Sequence, residues 1–276
     1  MKPGQIRAVV TGASGGIGRA LATELHGRGA ALLLVGRDVR ALAQVVAALG
    51  GRSEQLETVA ADLITDAGRS LVASRAATWG ANALVNNAGL GEFALVDDLT
   101  DAGIERLFAI NAIAPIQLTR ALLPHLRAQP EAAVLNIGSV FGSLAYPGFA
   151  AYSATKFALR GFTEALRREL AGTTVKVLYL APRATRTGMN HSAVEQMNQE
   201  LGVAMDPPEV VAAAACDMLE QGRLEAVLGW PEKLFVRINA LLPRVVDSSL
   251  RKQLPVIRRH AQLADAGRAR LTQESP

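Results

Sequence analysis

The chain has 276 residues, half of them hydrophobic and one fifth charged, with a formal net charge of +4. That balance supplies a large core and excludes a disordered or fibrous chain. A single cysteine, Cys216, allows no internal disulfide and reads as core filler, while His26, His125, His191 and His260 lack metal-ligand spacing, so no metal site is expected.

No uninterrupted apolar run approaches the ~18 residues that span a bilayer, and Met1 to Gly15 lacks a signal-peptide core, so a cytoplasmic protein is expected. Short β-branched or Leu-rich runs alternate with longer amphipathic ones. The pattern predicts strands near 6–11, 31–36, 56–60, 83–86, 132–138, 174–180 and 225–229. Helices are predicted near 17–28, 39–49, 66–78, 101–128, 151–171, 188–200 and 208–221. Such alternation is the pattern of an α/β fold: one doubly wound parallel sheet of about seven strands with helices on both faces. Ala31–Val35 and Ala132–Asn136 lack strict alternation, as central strands buried on both sides should.

The first strand-to-helix turn is Thr11-Gly12-Ala13-Ser14-Gly15-Gly16-Ile17-Gly18. Glycines there let backbone approach a pyrophosphate, and the N–H groups of the helix starting near Ile17 can hold its charge. The loop reads as a dinucleotide cradle, although its glycines meet the Gly-x-Gly-x-x-Gly fingerprint only loosely. At the end of the second strand, Arg37 can pair with a 2′-phosphate and select NADP(H). Asp38 stands at the spacing of a ribose-binding acid, which would suit NAD(H), and also directly before a helix, where it serves as N-cap. We read Asp38 as the cap and Arg37 as the phosphate ligand. Asp62 ends the third strand, where it either bonds an adenine or forms a turn. Asn86, Asn87, Ala88 and Gly89 follow the fourth strand, with small residues where a sugar would lie on backbone and Asn side chains able to tie strand ends together. Within the long helix predicted at 101–128, Pro115 has no N–H for the carbonyl of Asn111. Ser139 then closes the fifth strand at the ligand-binding edge. Tyr152 and Lys156, four apart on a predicted helix, share a face, and a neighbouring ammonium lowers a phenol's pKa toward neutrality.

Together, Thr11-Gly12-x-x-x-Gly16-x-Gly18, Asn86-Asn87-Ala88-Gly89, Asn111, Ser139 and Tyr152-x-x-x-Lys156 resemble the short-chain dehydrogenase/reductase family in order and spacing, over about residues 5–190. The resemblance implies a Rossmann-like sheet and hydride exchange between nicotinamide and a carbonyl or secondary alcohol of a small or lipid-like molecule. It implies Tyr152 as acid/base, Lys156 lowering its pKa and holding the nicotinamide ribose, and Ser139 bonding the substrate oxygen. Asn111 is implied to join a proton relay through its carbonyl and a water. In the family, the acidic NAD determinant falls at Gly36 and the basic NADP determinant at Arg37. Pro182 and Thr187 match the motif after the sixth strand, whereas Arg183 stands where the family usually has Gly. A homodimer or homotetramer is implied, and no nucleic-acid partner is expected.

Residues 1–230 are expected to form the dinucleotide-binding and catalytic unit. Between about 184 and 205, a polar segment with Met189, Met197 and Met205 reads as a substrate lid or as core filler. Residues 231–276 carry nine basic and four acidic residues, a net +5 that leaves −1 for residues 1–230. With Leu234, Phe235, Ile238, Leu241 and Leu242 at helical spacing, this extension reads as a packed helix, a substrate-channel wall, or a basic amphipathic surface for membranes or anionic partners. Two rival functions stand beside the reductase. A catalytically inactive nucleotide-binding scaffold would retain the fold, but Ser139, Tyr152 and Lys156 argue against it. A methyltransferase shares the glycine turn but gives no reason for Tyr-x-x-x-Lys.

Overall fold

The three leucines of Ala31–Gly36 are fully buried yet serve different cores. Leu32 and Leu34 pack with one cluster and Leu33 with another, because successive side chains of a strand leave opposite faces. The same division holds in Arg7–Thr11, where Ala8 and Val10 oppose Val9, and in Ala132–Ile137, where Leu135 opposes Val134. Truncating one of these leucines to Ala would cost about 2–5 kcal/mol, since the cavity closes only partly. The computed structural model describes residues 1–51, 54–188 and 192–273, with side chains to residue 266.

Seven parallel strands form one sheet: β1 (Arg7–Thr11), β2 (Ala31–Gly36), β3 (Leu56–Ala60), β4 (Ala83–Asn86), β5 (Ala132–Ile137), β6 (Val175–Ala181) and β7 (Glu225–Val227). Their spatial order is β3-β2-β1-β4-β5-β6-β7, so the winding reverses between β1 and β4 and opens a crevice at the strands' carboxyl ends. On one face lie α1 (Gly16–Gly27), α2 (Val39–Ala48) and α8 (Pro208–Gln221), with Cys216 fully buried among them, as core filler. The other face carries α3 (Asp66–Trp79), α5 (Ala114–Arg127) and α6 (Ala150–Glu169). Among the described residues, no cluster of His, Cys, Asp or Glu could hold a metal ion.

The single helix expected at 101–128 is interrupted. α4 (Asp101–Phe108) passes through a π-helical segment, Ala109–Ile113, into α5, and the Ala114 N–H donates to the Ala109 carbonyl. Pro115 is the physical cause: it has no N–H for Asn111, and its ring would crowd that carbonyl, so the helix widens by one residue. By length and composition Asp101–Arg127 is apolar enough to cross a membrane, which the absence of an uninterrupted apolar run did not convey. Its Leu118, Leu122 and Leu126 are buried against the sheet.

Of the segment expected as helix 188–200, Gly188 lies in a turn and α7 covers Ser192–Glu200; Met189 lies outside the described residues. The C-terminal extension forms α9 (Glu232–Leu241) and α10 (Pro243–Gln273). Both are anchored to the body. Asn239 donates to the Ser143 carbonyl at 2.9 Å, and Val246 packs with Val140 and Leu144. Ile257 and Ala261 are buried with Phe93, Val194 and Met197, while Glu200 of α7 pairs with Arg259 and His260. At the α9–α10 turn, Leu241 and Leu242 stay 81% and 60% exposed.

Candidate active site

Gly12 opens the turn after β1 with φ +65°, in the left-handed region, and a Cβ there would come within 2.8 Å of the Ala88 Cα. A Cβ on Gly18 would overlap the Gly12 carbonyl oxygen, so helix and turn meet backbone to backbone. Gly15 supplies no side-chain cap to α1. The N–H groups of that first turn, which have no acceptor within the helix, therefore belong to residues lining a cavity. Gly16 lies against Thr187, which brings the segment after β6 to the loop, and Ser14 Oγ lies close to Gly36.

Thr11, beyond the glycines expected to matter, fixes this loop. Its Oγ1 accepts from the N–H groups of Asn87 and Ala88 at 2.9 and 3.0 Å and donates to the Val85 carbonyl. Asn87 returns the tie, donating from Nδ2 to the Thr11 carbonyl at 2.9 Å. Asn86 faces the interior, where Nδ2 donates to Asn136 Oδ1 and Thr119 Oγ1, and Asn136 donates to Thr163 Oγ1. Every member of that chain is buried, and satisfied polar networks of this kind fix neighbouring elements in one arrangement.

At the end of β2, Asp38 caps α2, accepting from the N–H groups of Arg40 and Ala41 at 2.8 and 3.1 Å. Arg37 is exposed and lines the cavity. Asp62 adopts its turn-forming role, with Oδ1 accepting from the Ile64 N–H at 3.0 Å, and also lines the cavity.

Ser139 follows β5, and its Oγ accepts from the Phe141 N–H at 3.1 Å. α6 brings Tyr152 to the same stretch of the cavity lining, where the Ser139 hydroxyl favours the phenolate. One turn on, Lys156 Nζ donates to the Ile137 carbonyl at 3.2 Å and stands 5.7 Å from the Tyr152 ring centroid. The charge balance differs from the sequence expectation. Burial pushes the Tyr152 phenol up to about 12, opposed by the Ser139 hydrogen bond, and pushes Lys156 down to about 8. Desolvation disfavours both charged forms and outweighs the ammonium's pull on the phenol. At neutral pH the pair is thus a neutral phenol beside an ammonium, poised to donate a proton.

Asn111 is 1% exposed and, unlike the other expected site residues, stands behind the cavity rather than on its lining. Its side chain is a clamp: Oδ1 accepts from the Leu90 N–H, and Nδ2 donates to the Leu90 carbonyl and to Thr155 Oγ1. Thr155 in turn donates to the Tyr152 carbonyl at 2.7 Å. The cavity itself, about 990 Å³, is lined by Gly12, Ser14, Gly16, Ile17, Gly18, Arg37 and Asp62 at one end. Asn87, Ala88, Gly89, Ser139, Tyr152, Lys156, Pro182 and Thr187 line its middle. Residues of α7, α9 and α10 line the far end.

A family profile described as short chain dehydrogenase matches residues 7–198. The chain belongs to the short-chain dehydrogenase/reductase family. It is an oxidoreductase of that family, similar to the protein SadH of Mycobacterium tuberculosis, at 32% identity over 89% of this chain and 92% of SadH. Among solved structures it is similar to a short-chain dehydrogenase from Burkholderia cenocepacia in complex with NADP (TM-score 0.77, 25% identity, 91% and 99% covered). A short-chain dehydrogenase/reductase from Burkholderia phymatum in complex with NAD is equally similar (TM-score 0.78, 25% identity, 87% and 94% covered). The family thus binds NAD or NADP, and the bare glycine cradle of this chain, which a Cβ would fill, fits such a dinucleotide.

Tyr179 escaped the sequence reading of this short-chain dehydrogenase, and so did the role of Arg183. Tyr179 of β6 is buried under Ser139 and donates to its carbonyl at 3.4 Å, and its hydroxyl would lie 2.5 Å from a Cβ on Gly142. Arg183 reaches across the mouth, pairing with Asp206 at 2.6 Å and Glu232 at 3.5 Å and donating to the Trp230 carbonyl. It therefore ties the end of β6 to the segment before α8 and to the start of the extension. Only the departure of Arg183 from the family's Gly hinted at this role.

Proposed function

We propose that this oxidoreductase uses NADP(H) and moves hydride between it and the carbon of a carbonyl or secondary alcohol, with Tyr152 as acid/base. The observation that carries the reading is that Ser139, Tyr152 and Lys156 come together on one stretch of the cavity lining, where the glycine cradle meets an apolar space. The dinucleotide, when bound, supplies the hydride donor or acceptor. Gly12, Ser14, Gly16, Ile17 and Gly18 would hold its pyrophosphate, Arg37 its 2′-phosphate, and Asp62 would flank its adenine. Asn87, Ala88, Gly89, Lys156, Pro182 and Thr187 would hold the nicotinamide half.

In the reducing direction Tyr152 Oη gives its proton to the substrate oxygen, and Ser139 Oγ steadies that oxygen by a hydrogen bond. The Lys156 ammonium favours the phenolate left behind. Asn111 holds Leu90 and Thr155 in place around this group, and its carbonyl, which Pro115 cannot serve, is an acceptor for a relay water. In the oxidising direction the phenolate takes the proton back. Positioned acid/base groups of this kind contribute about 10²–10⁴-fold to rate.

Tyr152→Phe removes the proton and little else. Turnover of NADPH with a reducible ketone should fall by about 10²–10⁴-fold while the NADPH dissociation constant, read by fluorescence titration, stays within about twofold. Unchanged turnover would take Tyr152 out of this role. An inactive scaffold would show NADPH binding and no turnover in either protein.

A further inference from the structure

We infer that the substrate is a bulky, uncharged, apolar carbonyl compound, and that the C-terminal extension forms the wall that selects it. The inference rests on the hydride-transfer reading above and deepens it.

The cavity continues past Tyr152 into an aromatic cluster. Phe141 and Phe149 meet the Tyr152 ring edge-on at 6.3 and 6.2 Å, and Phe93 lies 5.0 Å from Phe149. Facing this cluster, α9 and α10 bring Phe235, Val246 and Leu250 to the same cavity. This wall is fixed in place: Tyr146 Oη donates to Gln253 Oε1 at 2.6 Å, tying α10 to the loop before α6. Met197 of α7 is buried against Ile257 of α10, so the lid leans on the extension as well as on the substrate space.

Charge points the same way. Among the described lining residues at this end, the cation is Arg183, whose two terminal nitrogens pair with Asp206 and Glu232, leaving only its buried Nε without a partner. Glu92 and Glu232 add negative charge to the lining. A carboxylate or phosphate on the substrate would enter an apolar space whose one cation is already paired with two carboxylates, which disfavours it against a neutral group. Apolar rings, by contrast, gain in proportion to the area they remove from water.

The test uses the full chain with NADPH, and three ketones: acetone, cyclohexyl phenyl ketone, and the same two-ring ketone bearing a ring carboxylate. NADPH oxidation should give the neutral two-ring ketone a kcat/KM about 100-fold above acetone, and about 10-fold or more above its carboxylate. Leu250→Asp should lower kcat/KM for the two-ring ketone about 10-fold, and by much less for acetone. Acetone or the carboxylate equalling the two-ring ketone would overturn the substrate class while leaving the reductase reading intact. A Leu250→Asp loss equal for both ketones would overturn the wall. Oxidation of NADPH by none of the three would overturn the hydride-transfer reading, and this inference with it.

Discussion

The two ends of the cavity are built from different materials. The cradle end is backbone: Gly12, Gly16 and Gly18 leave no room for side chains, and Thr11 and Asn87 lock the loop to β4 by hydrogen bonds. The far end is side chain, with aromatic rings from the β5–α6 region facing Phe235, Val246 and Leu250 of the extension. Backbone recognition reads what all dinucleotides share, whereas a wall of side chains can be redrawn by substitution. The difference teaches where substrate choice can vary: the family profile covers residues 7–198 and ends before α9 and α10.

That contrast predicts separable defects. The largest belongs to the cradle. Arg37→Ala should weaken NADPH about 10- to 100-fold, the loss of a charge-assisted hydrogen bond, and NADH by less than about twofold. Equal losses in fluorescence titration would place the 2′-phosphate elsewhere. The junction comes next. With Lys156 held at about 8 and Tyr152 at about 12, raising the pH through 8 removes the ammonium while the phenol keeps its proton. The kcat/KM for ketone reduction should be level between about pH 6 and 7.5 and fall toward tenfold per unit above about 8. A rise through that window would contradict the assigned charges. Smallest is the mouth. Arg183→Gly breaks the pairs to Asp206 and Glu232, and should lower unfolding free energy by about 2 kcal/mol in urea denaturation. The ketone KM should rise about threefold with NADPH affinity nearly unchanged, because the tie acts on the segment before α8 and on the extension. A change confined to NADPH affinity would place Arg183 in the cofactor half.

What was legible in the sequence is what local chemistry dictates. β-branched runs gave the seven strands to within two residues, the glycines of the first turn announced a backbone surface, and Asp38 before Val39 announced a cap. Pro115 was legible as a freed carbonyl, but the π-helical widening that it causes depends on how the helix is held at both ends. Partners distant in the chain were not legible. Asp206 and Glu232 lie 23 and 49 residues from Arg183, and no periodicity relates them. Helical spacing showed that the extension has an apolar face, but which surface meets that face is decided by the fold. The Tyr152–Lys156 balance failed for a related reason: four-residue spacing gives proximity, whereas burial, which here outweighs the ammonium, belongs to the assembled site.

Hydride transfer at the junction of the two ends is the central claim, and isotope transfer tests it most directly. NADPH carrying deuterium at both positions of C4 should yield, from cyclohexyl phenyl ketone, an alcohol with one deuterium on the carbinol carbon by mass spectrometry. An unlabelled alcohol, with the cofactor oxidised all the same, would contradict direct transfer.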